Sequence, residues 1–576
     1  MAYLGVSNSV SGRRWVGPDP AAERLAEALA QDGHPVPLAQ HLARRGVLVD
    51  DAAGFLAPTL RDALPDPLSL RDMDRAAARL VDAATGGERI AVFADYDVDG
   101  GASAALLSWW LRGLGRSATI YVPDRITEGY GPNPAAIAGL AADHDLILCV
   151  DCGTLSHDAL RAAQGRADVV VLDHHLGGET LPPALAVVNP NRQDEAGTLS
   201  HLCAASVVFL CLVEANRILR RNGGACPDLM AMLDLVALAT VADVAPLVGV
   251  NRALTRQGLR VMARRLRPGL VALADASRMD GPPSVYHLGY LLGPRINAGG
   301  RIGRADLGAR LLSTADPDEA AAIAAQLDAL NRDRQTIEAG IVDAALAQAE
   351  GRDGPLAWAA GPDWHPGIVG IVASRLKEAT GRPSVVVGLR GDGLGQGSCR
   401  SVPGVDIGGA VQRLVAEGWL VKGGGHRMAA GLTVETAKLD GAMERLASLL
   451  EGGAGRGGPS SDLALDGTLM PAAATLGLVT ALEAAGPFGQ DAPAPRFALP
   501  GLRVAHARPV GDGHLKLSLS DGGARLDAIA FRASDALRDL AASGGGVHVA
   551  GRVEANRWQG RETVQIRVED AAPADR

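Results

Sequence analysis

RIAVFADYDVDG, residues 89–100, is the stretch that decides how the rest of the chain is organised. Its first six residues form an apolar run of strand length, and the residues after it read as a helix. Alternation along an extended chain would send Asp95, Asp97 and Asp99 to one side. We therefore expect a strand that ends in three carboxylates at the C-terminal edge of a sheet, which is where open α/β sheets bind ligands.

Two further predicted strands also end in potential metal ligands. The first is followed by Asp151 and the second by His174 and His175, while Asp243 is a lone charge within an apolar stretch. If the sheet is parallel, these strand ends share one edge and form a pocket that suits Mn²⁺ or Mg²⁺. A solvated acidic turn and a structural histidine pair are the alternatives for each motif taken alone.

The composition is that of a globular protein with several domains. A length of 576 residues favours about three to five domains, and an apolar fraction of 47% excludes general disorder. The apolar stretches are interrupted well before ~18 residues, so we expect no membrane-spanning helix. Residues 1–12 lack the pattern of a secretory signal, and six scattered cysteines predict a reducing cytoplasm.

The net charge of −9 argues against a globally basic nucleic-acid binder, although basic groups concentrated in a groove remain compatible with it. Arginine supplies nearly all of the positive charge, because lysine occurs only at positions 377, 422, 438 and 516. Arginine suits bidentate contacts with phosphate, but genome composition can produce the same bias.

Five segments follow from the pattern of strands, helices and breaks. Alternating strands and helices predict a parallel α/β sheet, and the helix start at Asp316 opens a long uninterrupted helix. Residues 452–458 read as a glycine-rich linker, and the short β-rich runs beyond them predict an OB-fold-like barrel. The predicted segments are an N-terminal helical region (1–85), a parallel-sheet catalytic domain (86–315), a connector helix (316–350), a second α/β domain (351–455) and the barrel (459–576).

Four sequence motifs occur in the order typical of the DHH phosphoesterase superfamily, and the chain is identified as a member of it. These motifs are FADYDVDG (93–100), CVDCG (149–153), LDHH (172–175) and ATVADVAPL (239–247). Further motifs resemble those of the bacterial exonucleases in this superfamily. They are GPRINAGGR (293–301), WHPGIVGIVASRLKE (364–378), GSCRS (397–401) and GGGHRMAAG (423–431). The resemblance covers nearly the whole chain and implies a DHH domain, a DHH-associated domain and an OB-fold.

The resemblance implies two Mn²⁺ or Mg²⁺ ions that activate a water molecule. The implied metal ligands are Asp95, Asp97, Asp99, Asp151, His174 and Asp243. Asp151 is the expected bridge between the ions, and His175 is expected beside the reacting phosphate, with packing against the sheet as its alternative. Some superfamily members carry a histidine ligand where this chain has Phe93, so the first ion depends on Asp95 or water.

The second α/β domain carries candidate residues for binding the nucleic acid. Ser398 and Arg400 form a candidate phosphate cradle, which the resemblance implies anchors the 5′ end. Arg125 is expected to reach the same phosphate. His426 follows three glycines that allow a close approach of substrate to the backbone, although an ordinary tight turn is the alternative.

Five more residues are candidates for contact with the strand. His365, Arg295 and Arg301 are expected to face the cleft, with structural pairing to a carboxylate as the alternative for the arginines. Arg557 and Trp558 are the candidate stacking contact of the barrel, where Trp558 fits a core position equally well.

The resemblance implies a metal-dependent 5′→3′ exonuclease that hydrolyses single-stranded DNA in repair and recombination. A phosphodiesterase of short oligonucleotides or cyclic dinucleotides is the alternative enzyme, and a catalytically inactive single-strand DNA-binding scaffold is the non-enzyme alternative. The expected setting is a monomer in the cytoplasm without membrane contact. A single-strand-binding protein and a helicase are the candidate protein partners.

Overall fold

The computed structural model describes residues 2–125, 127–352, 354–451, 462–558 and 560–574. The chain folds into two compact units. The first unit comprises residues 1–64, 247–253 and 460–576, and the second comprises residues 65–246 and 254–459. None of the helices in the described ranges combines the length and hydrophobicity needed to cross a bilayer.

The second unit contains a five-stranded sheet in which every pair of neighbouring strands is parallel. The two strands that precede the acidic motifs are buried along their whole length, as expected for a sheet covered on both faces. In spatial order the strands are Ala118–Tyr121, Ile90–Ala94, Leu146–Val150, Asp168–Leu172 and Ala186–Val188. The predicted parallel sheet is confirmed, and it brings the strand ends to one edge.

Helices cover this sheet and extend the domain beyond it. Met73–Gly86, which lies in the predicted N-terminal segment, packs against Ala204–Arg221 in the second unit. The other principal helices are Val98–Gly113, Pro134–Asp143, His157–Arg161, Leu233–Ala242, Pro268–Ala276, Gly293–Ile302 and Leu307–Ser313.

A single helix of 34 residues, Pro317–Glu350, follows the first sheet domain. The Asp316 side chain caps it by accepting hydrogen bonds from the backbone N–H groups of Asp318 and Glu319. The long connector helix predicted from this start signal is confirmed. It packs against Gly293–Ile302 near Leu327 and against Val369–Thr380 near Ile341 and Ala345.

The second α/β domain of this unit has a mixed five-stranded sheet. Only its first two strands in the chain pair in parallel, and the other neighbours are antiparallel. In spatial order the strands are Lys422–His426, Ala429–Glu435, Leu394–Arg400, Ser384–Leu389 and Ala357–Pro362. Its helices are Val369–Thr380, Ile407–Ala416 and Leu439–Leu450.

The first unit contains the predicted barrel. Five strands pair in a closed circuit, because the first of them also pairs with the fourth in the chain. These strands are Phe497–Val510, His514–Ser520, Arg525–Ala530, Gly546–Trp558 and Arg561–Pro573, with the helix Asp535–Ala542 inserted after the third. The OB-like architecture is thereby confirmed.

The N-terminal segment shares its core with the barrel segment in this first unit. Leu29 and Leu42 pack in one buried cluster with Leu482 and Phe497. The N-terminal segment is not only helical, because residues 14–16 form a strand parallel to residues 462–464. Its helices are Pro20–Gln31, Val36–Arg44, Val49–Leu56 and Leu60–Ala63, and Leu476–Ala484 packs against them. The predicted linker at 452–458 lies outside the described residues.

Candidate active site

The acidic motif after the first strand turns directly into a helix. Asp97 is the N-cap of Val98–Gly113, and its Oδ1 accepts hydrogen bonds from the N–H groups of Asp99 at 2.8 Å and Gly100 at 3.2 Å. The expectation that simple strand alternation aligns the three carboxylates is therefore wrong, because Asp99 lies in the first helical turn. Asp95, directly after the strand, is buried.

Gly100 makes this turn possible. A Cβ atom at Gly100 would lie 2.4 Å from the backbone oxygen of Asp95 and 2.7 Å from its nitrogen. Any larger residue would therefore push the helix away from the strand end. The glycine that closes the motif holds Asp95 close to the first turn of the helix.

Asp99 is fixed by a second helix that is distant in sequence. Its two carboxylate oxygens accept hydrogen bonds from the N–H groups of Ala204 at 2.7 Å and Ala205 at 2.8 Å, in the first turn of Ala204–Arg221. A carboxylate at a helix N-terminus satisfies free N–H groups and interacts favourably with the helix dipole. Asp99 Oδ2 also lies 3.8 Å from His174 Nε2, so the helix orients Asp99 toward the histidine.

Asp151 lies at the centre of the cluster in a strained conformation. Its φ angle is 59°, which is uncommon for a residue other than glycine and is often found at functional sites. Its Oδ1 atom lies 3.3 Å from His174 Nε2 and 3.9 Å from His175 Nδ1. This buried oxygen accepts no hydrogen bond from the part of the chain that the structure describes. The same is true of Asp95 Oδ1.

Asp243 completes the cluster from the end of helix Leu233–Ala242. Its Oδ2 atom lies 3.8 Å from His174 Nδ1, and the next residue, Val244, has a φ angle of 58°. Burial and the neighbouring carboxylates of Asp99 and Asp97 raise the pKa of Asp243 to about 8. Burial and like charges also raise the pKa values of Asp95, Asp99 and Asp151.

The cluster fits divalent cations. Among the described residues, three triads have ligand atoms within 4.8 Å of one another, namely Asp95–Asp97–Asp151, Asp99–His174–Asp243 and Asp151–His174–His175. Repelling carboxylates with unsatisfied buried oxygens are stabilised by a cation, and this set of oxygen and imidazole ligands suits Mn²⁺ or Mg²⁺. Phe93 is buried and stacks on Tyr121 with ring centroids 5.4 Å apart, so position 93 contributes packing and no ligand.

Asp173 orients the histidine pair, a role that the sequence analysis did not assign to it. Its carboxylate accepts hydrogen bonds from His175 Nδ1 at 2.8 Å and from Thr154 Oγ1 at 2.7 Å, as well as from the backbone of His174. Although burial favours its neutral form, these bonds hold the pKa of Asp173 well below its usual range. A carboxylate immediately before two candidate ligands is a recognisable signal for such an orienting residue.

His175 is held by the carboxylate of Asp173. Burial lowers the pKa of His175, but the hydrogen bond and charge of Asp173 outweigh burial and raise it to about 9. Its Nε2 atom lies 3.0 Å from the hydroxyl of Tyr130. The contact with Asp173 favours a proton on Nδ1, and His175 lines the cleft side of the cluster.

We expect Asp173→Asn to lower kcat on single-stranded DNA by about 10–100-fold, because outer partners of ligand-type histidines contribute on that scale. The substitution removes the charge that fixes the His175 proton. Asp168→Asn is the matched control, because Asp168 begins the same strand and pairs with Arg79 at the opposite edge. Steady-state rates of the two variants, with folding checked by circular dichroism, test this role, and an unchanged kcat for Asp173→Asn would contradict it.

A cleft of about 640 Å³ joins the acidic edge to the second α/β domain. Five of the residues predicted to contact the substrate line it, namely Arg125, Arg301, Ser398, Arg400 and His426. Tyr96, Tyr130, Asn297 and Gln396 also line it and were not predicted. The cleft therefore brings the candidate metal ligands and the candidate phosphate contacts into one cavity.

Arg400 is the central group at the far end of the cleft. Its Nη1 atom donates hydrogen bonds to Ser398 Oγ and to the carbonyl oxygen of Cys399, both at 2.8 Å. Burial lowers the pKa of Arg400, as burial and nearby Arg125 lower that of Arg301 to about 10. Within the described residues none of these three arginines forms an ion pair with a carboxylate. Converging guanidinium groups without a counterion form a site for an anion.

The N-terminus of helix Val369–Thr380 forms the opposite wall of this anion site. A Cβ atom at Gly370 would lie 3.1 Å from Arg400 Nη2 and 3.2 Å from Ser398 Oγ. The absence of a side chain at Gly370 therefore keeps the space beside both donors open. The N–H groups of Val369, Ile371 and Val372 already donate to the carbonyl oxygens of His365 and Ile368, so at the helix start only the Gly370 N–H is left beside Arg400 and Ser398 as a candidate donor.

Gly370→Ala should raise KM for 5′-phosphorylated strands by about tenfold, through loss of roughly one charge-assisted hydrogen bond. The added methyl group occupies the space between the helix and the two donors. Gly340→Ala is the matched control, because Gly340 is also helical and a Cβ there would have nothing within 4 Å. Equal KM values for the two variants would argue against a phosphate between Gly370 and Arg400.

Several predicted contacts lie elsewhere or outside the described side chains. The expectation for Arg295 is corrected, because its Nε atom donates to Asp328 at 2.9 Å and it does not line the cleft. His365 precedes the helix start, and its Nδ1 atom accepts the N–H of Gly367. Arg557 pairs with Glu562, and the side chain of Trp558 lies outside the described residues.

Comparison with known families matches three parts of the chain. The family model of the DHH family N-terminal domain matches residues 89–240, the DHHA1 domain matches residues 353–452, and the RecJ OB domain matches residues 465–570. The first of these spans the acidic edge, and the second spans the candidate phosphate cradle.

Relatives resemble the chain over nearly its full length. The single-stranded-DNA-specific exonuclease RecJ of Dickeya dadantii is 39% identical over 95% of this chain and 98% of its own, and that of Escherichia coli is 37% identical over 88% and 91%. The crystal structure of RecJ from Thermus thermophilus in complex with Mn²⁺ has a TM-score of 0.81 at 31% identity and covers 98% of this chain and 80% of its own. A complex of the same protein with Mg²⁺ has a TM-score of 0.75.

Proposed function

This chain belongs to the RecJ family of single-stranded-DNA-specific exonucleases, and from that membership we propose that it removes nucleotides from the 5′ end of single-stranded DNA. It is a DHH phosphodiesterase that uses Mn²⁺ or Mg²⁺. The observation that carries the 5′ polarity is the partly buried Arg400, which pairs with no carboxylate among the described residues and lies in the same cleft as the acidic edge.

The proposed metal ligands divide into two groups around Asp151. Asp95 and Asp97 face the cleft, and the other group consists of Asp99, His174 and Asp243. Two bound ions supply a water molecule of lowered pKa and stabilise charge on the leaving oxygen. Asp97 and Asp99 orient their carboxylates through the N-termini of two helices, and this arrangement is formed before substrate binds.

His175 is proposed to act on the phosphate itself. The carboxylate of Asp173 holds its Nδ1 proton, so the imidazolium presents Nε2–H toward the cleft. From this position it donates a hydrogen bond to a non-bridging phosphate oxygen, and it can release the proton to the leaving 3′ oxygen. Tyr130, whose hydroxyl lies 3.0 Å from Nε2, keeps the ring in place before DNA binds.

The cleft explains why a chain end is required. A 5′-phosphate carries more negative charge than an internal phosphodiester and offers three terminal oxygens for Arg400, Ser398 and the N–H of Gly370. A strand bound through an internal phosphate would have to extend on both sides of this group of donors. Anchoring at the terminal phosphate places a following phosphodiester at the acidic edge, which yields 5′→3′ degradation.

The test is digestion of single strands and duplexes labelled at the 5′ or the 3′ end, with Mn²⁺, Mg²⁺ or EDTA. We expect early release of the 5′ label as a short nucleotide product, little attack on blunt duplexes, and no hydrolysis in EDTA. Early release of a 3′ label would overturn the polarity. Hydrolysis restricted to dinucleotides would favour the alternative phosphodiesterase.

The setting of the enzyme is part of the same proposal. We place it in DNA repair and recombination, as a monomer that works with a single-strand-binding protein and a helicase. All six cysteines are free thiols, which supports a reducing cytoplasm. The five-segment division of the chain, from 1–85 to 459–576, is retained as its proposed domain organisation.

A further inference from the structure

Tyr286 and Tyr290 present a stacked aromatic surface to solvent. Their ring centroids lie 5.3 Å apart with 23° between the ring planes, and the residues are 60% and 73% exposed. Large aromatic side chains normally contribute to stability by burying their faces. This pair leaves much of its aromatic surface uncovered, so the stack is available to another flat ring.

The backbone that carries this pair is unusual. Residues His287–Leu292 form a π-helical turn that continues directly into the helix Gly293–Ile302. Such wide turns are rare and occur frequently at functional sites. His287 packs edge-on against Tyr286, and its Nδ1 atom lies 3.2 Å from Ser284 Oγ. These contacts hold the first tyrosine in place.

The same turn packs against the helix that ends at the metal cluster. A Cβ atom at Gly289 would lie 3.4 Å from Val241, and one at Gly293 would lie 3.3 Å from Ala242. Asp243 is the residue that follows Ala242 in the chain. The exposed tyrosines are therefore carried by the element that directly supports the Asp243 end of the cluster.

The two ends of the cluster face different parts of the substrate, provided that the proposed function holds. Asp95, Asp97 and His175 line the cleft that leads to the Arg400 anion site, whereas Asp99, His174 and Asp243 are not among its lining residues. The Asp243 side chain is partly exposed. If the 5′ end is held in the cleft, the Asp243 end of the cluster is the end left for the strand on the 3′ side of the scissile phosphate.

We propose that Tyr286 and Tyr290 form a stacking platform for bases of single-stranded DNA beyond the first nucleotide on the 3′ side of the scissile phosphate. Stacking on tyrosine requires no particular base, because every base has a π face, and this suits an exonuclease that meets all sequences. The platform holds the strand that remains after each cleavage. The platform strengthens the binding of long strands and contacts none of the reacting atoms.

The first test compares Tyr286→Ala/Tyr290→Ala with Tyr286→Phe/Tyr290→Phe, using a 5′-phosphorylated dinucleotide and a strand of about 20 nucleotides. For the alanine variant we expect KM for the long strand to rise about tenfold, with kcat and all dinucleotide kinetics unchanged. The phenylalanine variant keeps the rings and should match the wild type. Leu266→Ala is the control, because Leu266 is an exposed apolar residue of the same unit.

The second test locates the contact with single abasic sites placed one at a time downstream of the 5′ end. Wild-type affinity should fall at one or two positions, and the alanine variant should be insensitive there. Equal KM values for the wild type and the alanine variant on the long strand would overturn the proposal that the tyrosines bind DNA. A protein partner would then be the remaining ligand for this aromatic surface. Equal losses on the dinucleotide, or loss in the phenylalanine variant, would also overturn the proposal. A wild type that does not hydrolyse single strands would instead refute the proposed function.

Discussion

Asp151→Asn should abolish hydrolysis of single-stranded DNA, with a loss of at least about 10³-fold in kcat. Asp151 lies between the two proposed ligand groups, with Asp95 and Asp97 on one side and His174 on the other, so the substitution removes a charge that both groups share. The amide of asparagine is nearly isosteric with the carboxylate of aspartate. The strained backbone at this position therefore does not have to accommodate a larger side chain. Rates with Mn²⁺ and Mg²⁺ on a 5′-phosphorylated strand measure the effect.

DNA binding should survive this substitution, because the Arg400 site lies at the other end of the cleft. Asp145→Asn is the matched control, since Asp145 precedes the same strand at its opposite end and pairs with Arg89. The control should retain wild-type turnover. Measurable turnover by Asp151→Asn at more than a tenth of the wild-type rate would exclude a shared ion at Asp151.

Arg400→Ala should reduce kcat/KM by about 10–100-fold on strands with a 5′-phosphate, which corresponds to losing one or two charge-assisted hydrogen bonds. Strands with a 5′-hydroxyl should lose much less, because they lack the terminal charge. The ratio of the two values of kcat/KM, measured for wild type and variant, isolates the terminal phosphate from general binding.

Arg390→Ala is the control for Arg400→Ala. Arg390 follows a neighbouring strand of the same sheet and pairs with Asp392 near the surface. It should leave both substrates unaffected. An equal loss on 5′-phosphate and 5′-hydroxyl strands in Arg400→Ala would mean that Arg400 supports the fold or general binding instead of the 5′ end.

The predictable part of the site follows from the geometry of parallel sheets. Residues after the C-terminal ends of parallel strands converge, so Asp95, Asp151 and His174 could be brought together from their positions after apolar runs alone. The long connector helix could also be predicted from the sequence, because Asp316 and Pro317 form a strong helix start signal. These features depend on local patterns that recur at known spacings.

The rest depends on contacts between residues that are distant in sequence. No local pattern places Asp99 against the N–H groups of Ala204 and Ala205, because that contact requires the packing of two helices. Arg295 lies in a motif like those of the cleft, yet its pairing with Asp328 depends on how the connector helix packs. The assignment of residues 97–99 to an extended strand was wrong because the helix-capping preference of Asp97 outweighed alternation.

The most direct test of the metal centre is equilibrium dialysis of the wild-type chain and Asp151→Asn against Mn²⁺ at neutral pH, without DNA. The wild type should bind two ions per chain, as expected for a two-metal phosphodiesterase, and Asp151→Asn should lose at least one of them. Identical Mn²⁺ stoichiometry and affinity for the two proteins would contradict a metal centre built around Asp151.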